Sequence, residues 1–382
     1  KRGLKLVQKD FLIEEQGERL IKPGAVMRFV KNRGVWHVTQ LPEVESSLVS
    51  MDPQSGAIVA LVGGFDFYRN KYNHVTQAQR QPGSIFKPFI YSAALEKGIN
   101  AATLVNDGYL YITAKELNST ENWEPQNYNE KFSGPLRLRE GLAKSKNLVA
   151  IRVLKNIGPE YAQDYISRFG FDPKKHQPYL SMALGVGEVT AMEMVSAYSV
   201  FANGGYLKKP YFIDKIIDSQ GRKVKLSSAL MNAEVPRIID PRNAFIMTDM
   251  LKEVINSGTA RKAKRLKRND IAGKTGTTNN LIDAWFAGYN PDIVTVTWMG
   301  FPQPKPLGDK ETGSRAALPI WIDYMEPILE DYPIKMLVEP EGILPLKVKE
   351  SDGTLAGPNE PGIYEYFYDE FLPKDNAYFM IN

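Results

Sequence analysis

An α+β domain is the fold class that this sequence predicts, and three observations point to it. Strand-like runs stand at both ends of a helix-rich middle. After the basic run Arg261 to Arg268 the apolar period changes from about 3.6 to 2, the change from helix to strand spacing. The last strand-like runs are separated only by Asn279-Asn280 and by Asn290-Pro291-Asp292, turns short enough to require antiparallel neighbours. A sheet closed by distant segments, with the helices packed on it, accommodates all three.

The elements follow in chain order. AVMRFVKNRGVWHVTQLP reads as two alternating strands about an Asn32-Arg33-Gly34 turn, so residues 1–45 form an accessory segment with a β-hairpin. The main domain, 46–329, opens with SLVSMDPQSGAIVALVGG, a strand, a Pro-Gln-Ser-Gly turn and a second strand. A helix then starts close to Ser84. Its apolar residues run from Ile85 to Leu95, Pro88 is tolerated only in the first turn, and Gly98 stops it. Residues 101–136 are irregular and aromatic, and Pro135 precedes a helix running through Lys144. Ser145-Lys146-Asn147 separates that helix from the periodic run LVAIRVLKNIG. Further helices span Ala191 to Asn203, ended by Gly204-Gly205, and Asp240-Pro241 to about Asn256, opened by a cap and then a proline. IAGKTGTT, IDAWFAGY and IVTVTWMGF are the late strands, and a helix from about Ala316 to Leu329 packs on them. Residues 330–382, rich in proline and aromatics with a turn at Asp352-Gly353, form a small C-terminal extension.

Composition removes several classes of chemistry. There is no cysteine, which excludes thiol catalysis, thiolate metal sites and disulfides. The three histidines, His37, His74 and His176, are not at metal-ligand spacing, which argues against a metal site and against a serine–histidine triad. No metal and no cofactor is expected. The net charge of +4 does not call for a polyanionic partner, and the run RKAKRLKR lacks aromatic interleaving, so it reads as a solvated loop and no nucleic acid is expected. No apolar run reaches the roughly 18 residues of a membrane span. The chain begins KRGLKLVQKDFL, without methionine or an export signal, so any anchor is expected upstream of Lys1.

Ser84 follows Pro82-Gly83 and precedes Lys87 by one helical turn. This spacing puts a hydroxyl at the positive end of a helix with an amine on the same face. A serine at a helix start is by itself an ordinary cap. With histidine so scarce, however, Lys87 is the base available to a nucleophilic Ser84.

Two further triplets occur in order: Ser145-Lys146-Asn147, and Lys274-Thr275-Gly276 followed by Thr277. Singly such triplets are common. In this order, each on the element that the chemistry needs, they resemble the penicillin-binding transpeptidases, in particular the C-terminal half of the bifunctional enzymes that build peptidoglycan. QRQPGSIFKPFIY, NWEPQNY, GPLRLREGLAKSKNLVAIRVL, VFANGG, AGKTGTTNNLIDAWFAGY and AALPIW are similar to the same family, over roughly residues 46–328.

The resemblance implies the serine β-lactamase-like fold, an antiparallel sheet with a helical subdomain, and an acyl-enzyme on Ser84. Lys87 must be neutral to take the serine proton, and both desolvation and the nearby cation Lys274 favour that form. Ser145 relays protons between a lysine and the leaving amine. Asn147 offers a donor and an acceptor to a substrate amide. Thr275 and Thr277, on one strand face about Gly276, suit a terminal carboxylate. By resemblance, the backbone N–H groups of Ser84 and Thr277 form the oxyanion hole.

The implied substrates are peptidoglycan stem peptides ending in D-Ala-D-Ala, with β-lactams as inhibitors. A glycosyltransferase domain is expected upstream in the same chain, and the location is the outer face of the cytoplasmic membrane. Rival readings are a D,D-carboxypeptidase, which differs only in its acceptor, and a β-lactam sensor of the same fold. A class A β-lactamase is disfavoured because the one Leu-Asn pair, Leu117-Asn118, has Ala114 where the deacylating glutamate would stand.

Overall fold

The computed structural model describes residues 26–32, 34–117, 119–224, 235–373 and 380–382. Arg33 of the hairpin turn and the first 25 residues of the accessory segment lie outside these. Two compact units divide between Glu43 and Val44. In the first, β1 (Arg28–Asn32) pairs antiparallel with β2 (Val35–Thr39), as the alternation predicts.

The second unit is built on a five-stranded antiparallel sheet in the order β4-β3-β11-β10-β9. Its strands are β3 (Glu45–Met51), β4 (Ile58–Val62), β9 (Ala272–Thr277), β10 (Asp283–Tyr289) and β11 (Val294–Gly300). The first two come from one end of the domain and the last three from the other, the closure by distant segments that the sequence implies. Every residue of β10 is buried because both sheet faces are covered. Phe286 meets Trp321 of the helix Ala317–Ile328, whereas Tyr289, of opposite parity, meets Tyr198 of the helix Ala191–Ala202.

The helical middle surrounds α1 (Lys87–Glu96), in which every residue but Glu96 is buried. A helix apolar on all sides belongs at the centre of a core. Pro88 falls in its first turn, and Gly98 carries the positive φ of a stop. Around it lie α2 (Leu138–Ala143), α3 (Asn147–Ile157), α4 (Pro159–Ser167), α5 (Ala191–Ala202) and α6 (Pro241–Asn256). Thr190 and Glu193 close a capping box at the start of α5.

One region differs from its sequence reading. Residues 101–136, read as irregular, contain two paired strands; Pro135 lies in one of them, β6 (Gly134–Arg137), and the helix that it precedes starts at Leu138. β6 pairs with β5 (Leu104–Asp107), and a proline is tolerated there because β6 is an edge strand.

β7 (Ile216–Ile217) and β8 (Lys223–Val224) form a short antiparallel pair of their own. The C-terminal residues contribute the hairpin β12 (Ile343–Val348) and β13 (Ile363–Tyr368), and β14 (Met380–Ile381), which pairs parallel with β5. Glu365, fully buried, receives Arg137 Nη1 at 2.9 Å and the guanidinium of Arg139. This ion cluster ties the hairpin to α2 and to the end of β6.

Candidate active site

Ser84 lies in a 3₁₀ turn, Gly83–Phe86, that runs directly into α1. Gly83 has φ of 57°, and a Cβ on it would come within 2.6 Å of the carbonyl oxygen of Thr277. A Cβ on Gly276 would meet the Pro82 carbonyl oxygen, also at 2.6 Å. Glycine on both sides is therefore what lets β9 lie against the serine turn. Further bonds fix the turn: Gly83 N–H donates to Gly185 O at 3.2 Å, Trp285 Nε1 to Gln81 O at 2.9 Å and Tyr198 Oη to Ile85 O at 2.6 Å. Ser84 itself is half-buried, and its hydroxyl makes no hydrogen bond among the described residues.

Lys87 is fully buried. Its Nζ donates to Ser145 O at 2.7 Å and to Asn147 Oδ1 at 2.8 Å, with Ser145 Oγ farther off at 3.5 Å. Lys274, also fully buried, donates from Nζ to Ser145 Oγ at 2.8 Å and to Thr275 O at 3.1 Å. Ser145 thus stands between two lysine amines. Burial, and then the charge of Lys274, hold the Lys87 pKa well below the usual lysine range. Burial pushes Lys274 down to about 7. No carboxylate is bonded to either amine among the described residues; the charge of Asp107 raises the Lys87 pKa, but burial outweighs it and the neutral form gains.

The serine–lysine–asparagine turn is held in a conformation that its sequence does not favour. Ser145 has φ of 57°, in the left-handed region, which costs a non-glycine residue about 1–3 kcal/mol. The compensation comes from residues that the sequence reading passed over. Lys146 Nζ pairs with Asp107 Oδ2 at 2.7 Å, and Asp107 is completely buried. Asn127 Nδ2 donates to Asp107 Oδ1 at 2.6 Å, while Asn127 Oδ1 accepts the Asn147 backbone N–H at 2.9 Å. Nothing in the spacing marks Asp107; Asn127 falls within NWEPQNY, quoted only for its likeness. The Asn147 amide is also more committed than expected, since its Nδ2 donates to Gln126 O at 2.9 Å.

On β9, Thr275 Oγ1 lies 2.6 Å from Thr259 Oγ1, and Thr277 Oγ1 accepts the Gly313 N–H at 3.0 Å. The basic run closes onto the protein. Arg265 pairs with Asp323 and Glu326, and Arg268 with Asp270 and the carbonyl oxygens of Leu329, Tyr332 and Pro333.

The geometry brings Lys87, Ser145, Asn147 and Lys274 into one hydrogen-bonded cluster, with Ser84 one turn before Lys87 and its neighbour Gly83 against the Thr277 backbone. Residues 46–326 match the family described as the penicillin binding protein transpeptidase domain. The chain belongs to that family. Penicillin-binding protein 1A of Neisseria lactamica is 49% identical over 332 residues, 87% of this chain and 42% of that protein. Its counterpart in Pseudomonas aeruginosa is 43% identical, covering 89% of this chain and 47% of that protein. The chain therefore spans less than half the length of these curated relatives. The crystal structure of penicillin-binding protein 1A from Haemophilus influenzae superposes with a TM-score of 0.87 at 34% identity, over 91% of this chain and 57% of that one. The PonA1 protein from Mycobacterium tuberculosis, solved in complex with penicillin V, gives 0.66 at 25% identity, over 79% and 82%. This transpeptidase domain thus has the fold that its motifs imply, and no helix among its described residues is long and apolar enough to cross a membrane.

Proposed function

We propose that the domain is a serine D,D-transpeptidase acting through an acyl-enzyme on Ser84. The supporting observation is the buried Lys87 amine, held by Ser145 O and Asn147 Oδ1 and next to Lys274 through Ser145. Neutral Lys87 takes the Ser84 proton as the hydroxyl attacks the penultimate D-Ala carbonyl of a stem peptide. The N–H groups of Ser84 and Thr277 receive the oxyanion. Ser145 carries a proton from the lysine pair to the departing D-Ala nitrogen. The terminal carboxylate meets Thr275 and Thr277, while Gly276, on the other strand face, lets β9 lie against the serine turn, and β9 pairs with the extended peptide as an added strand. Asn147 uses its remaining N–H and lone pair on the substrate amide. An amine from a second stem peptide then attacks the ester, forms the cross-link and frees Ser84.

A β-lactam carries a carboxylate and a strained amide in the same relation and acylates the same serine. Turnover of a thiolester analogue of acyl-D-Ala-D-Ala, with transfer to an added primary amine, tests this reading, and Ser84→Ala must abolish it. Acylation without turnover would indicate a sensor. The likeness to penicillin-binding protein 1A further supports a full-length protein with a glycosyltransferase domain, anchored in the cytoplasmic membrane with this domain outside. Sequencing upstream of Lys1 tests that part.

A further inference from the structure

Beside the serine turn, away from the lysine cluster, lies a cavity of about 590 Å³. Its wall includes Asn70, Gln79, Gln81, Glu188, Thr278 and Gln303. The cavity is built onto the chain that leads to the nucleophile. Arg80 and Val189 exchange backbone hydrogen bonds at 3.0 and 2.9 Å, which fixes Glu188 next to that chain. The Thr278 nitrogen would stand 3.3 Å from a Cβ on Gly83, the residue before Ser84. Gln81 is three residues from Ser84, so their Cα atoms are at most about 11 Å apart.

The charges in the wall are unequal. Arg80, buried, is used internally: its guanidinium donates to the carbonyls of Phe301 and Pro302, lies 3.8 Å from Asp283 and stacks over Trp298. Asp283, also buried, accepts Trp298 Nε1 at 2.8 Å. That leaves Glu188, exposed and without an ion-pair partner among the described residues, sharing the wall with the amides of Asn70, Gln79, Gln81 and Gln303, of which Gln79 already accepts Lys175 Nζ at 3.0 Å. A carboxylate among hydrogen-bonding amides suits an ammonium group on a peptide.

We infer that this cavity is the docking site for the acceptor strand, a peptide bearing a primary amine, with Glu188 holding its ammonium group before transfer. The inference rests on the transpeptidase reading above. The ammonium releases one proton to solvent as it leaves Glu188, and the amine nitrogen attacks the acyl carbonyl. The C–N bond forms, the ester C–O bond to Ser84 breaks, and the second amine proton passes through the lysine cluster to Ser84 Oγ.

The test separates the two halves of the reaction. Acylation by a fluorescent penicillin needs no acceptor and reports the Ser84 reading alone. The ratio of aminolysis to hydrolysis, with a thiolester donor and Nα-acetyl-lysine amide as acceptor, reports the cavity. Glu188→Gln should lower that ratio about fivefold, the scale of a solvent-screened ion pair, and Glu188→Lys should lower it further. Gln303→Lys, which places a cation in the wall from another loop, should act in the same direction. An unchanged ratio in variants that acylate normally overturns the inference and leaves the transpeptidase reading standing. Loss of acylation in the Glu188 variants, with an unchanged ratio in Gln303→Lys, overturns it as well.

Discussion

Asn147 Oδ1 accepts a hydrogen bond from Lys87 Nζ at 2.8 Å, and the Ser145 carbonyl accepts another from the same nitrogen at 2.7 Å. A neutral amine has two N–H bonds and one lone pair. Both N–H bonds are thus occupied within the protein, and the lone pair is left for an incoming proton. On the proposed mechanism, the asparagine of the second motif thus orients the base in addition to any contact that it makes with substrate. Asn147→Ala is expected to slow acylation by penicillin far more than it weakens any non-covalent binding that precedes it. Equal losses in both would mean that Asn147 only binds ligand.

The pH dependence of acylation has a defined sign. Desolvation first, and then Lys274, lower the Lys87 pKa, so the neutral amine persists to lower pH than in an exposed lysine, and the rate is expected to fall as pH drops through that lowered value. Lys274→Ala removes a positive neighbour, so the Lys87 pKa rises and the acid limb moves to higher pH. Because burial is the larger cause, the limb moves only part of the way towards an exposed lysine. Rapid-mix acylation across pH checks this; a limb that stays in place, or moves down, contradicts it.

Asp107 is expected to act on both stability and the proposed base, Lys87. Asp107→Asn leaves Lys146 without its carboxylate in a buried site, and removing one partner of such a pair costs about 3–5 kcal/mol. Asp107 also raises the Lys87 pKa against the dominant desolvation, so its loss should shift the acid limb down, opposite to Lys274→Ala. Urea unfolding and the same pH series read the two effects separately.

Glu365→Ala should destabilise by a similar amount, about 3–5 kcal/mol, since two buried guanidinium groups lose their shared carboxylate. A loss below about 1 kcal/mol, the range of exposed pairs, would mean that solvent reaches the cluster.

Once formed, the penicillin adduct should persist. The opened ring keeps its leaving nitrogen tethered, and no Glu-x-x-Leu-Asn element stands ready to activate water. Whole-protein mass spectrometry over time checks this; rapid loss of the adduct with consumption of drug would make the domain a β-lactamase.

Much of this was legible in the chain itself, for physical reasons that can be named. The Ser84 turn could be read because Pro82-Gly83 and Pro88 constrain the backbone locally, and β9 to β11 because polar turns separate strands of period 2. Asp107, Asn127, Gly185 and Glu365 could not be read. Each acts through partners distant in sequence, and burial gives a lone carboxylate or glycine no periodic signature. The strands Leu104–Asp107 and Gly134–Arg137 were missed because each is only four residues long and a proline on an edge strand gives no strand signal.

The central claim is that Ser84 is the acylated nucleophile, and peptide mapping after reaction with a penicillin tests it most directly. A single adduct on the peptide containing Ser84, absent from a folded Ser84→Ala variant, is the expected result. An adduct on any other residue, or undiminished labelling of Ser84→Ala, would contradict it.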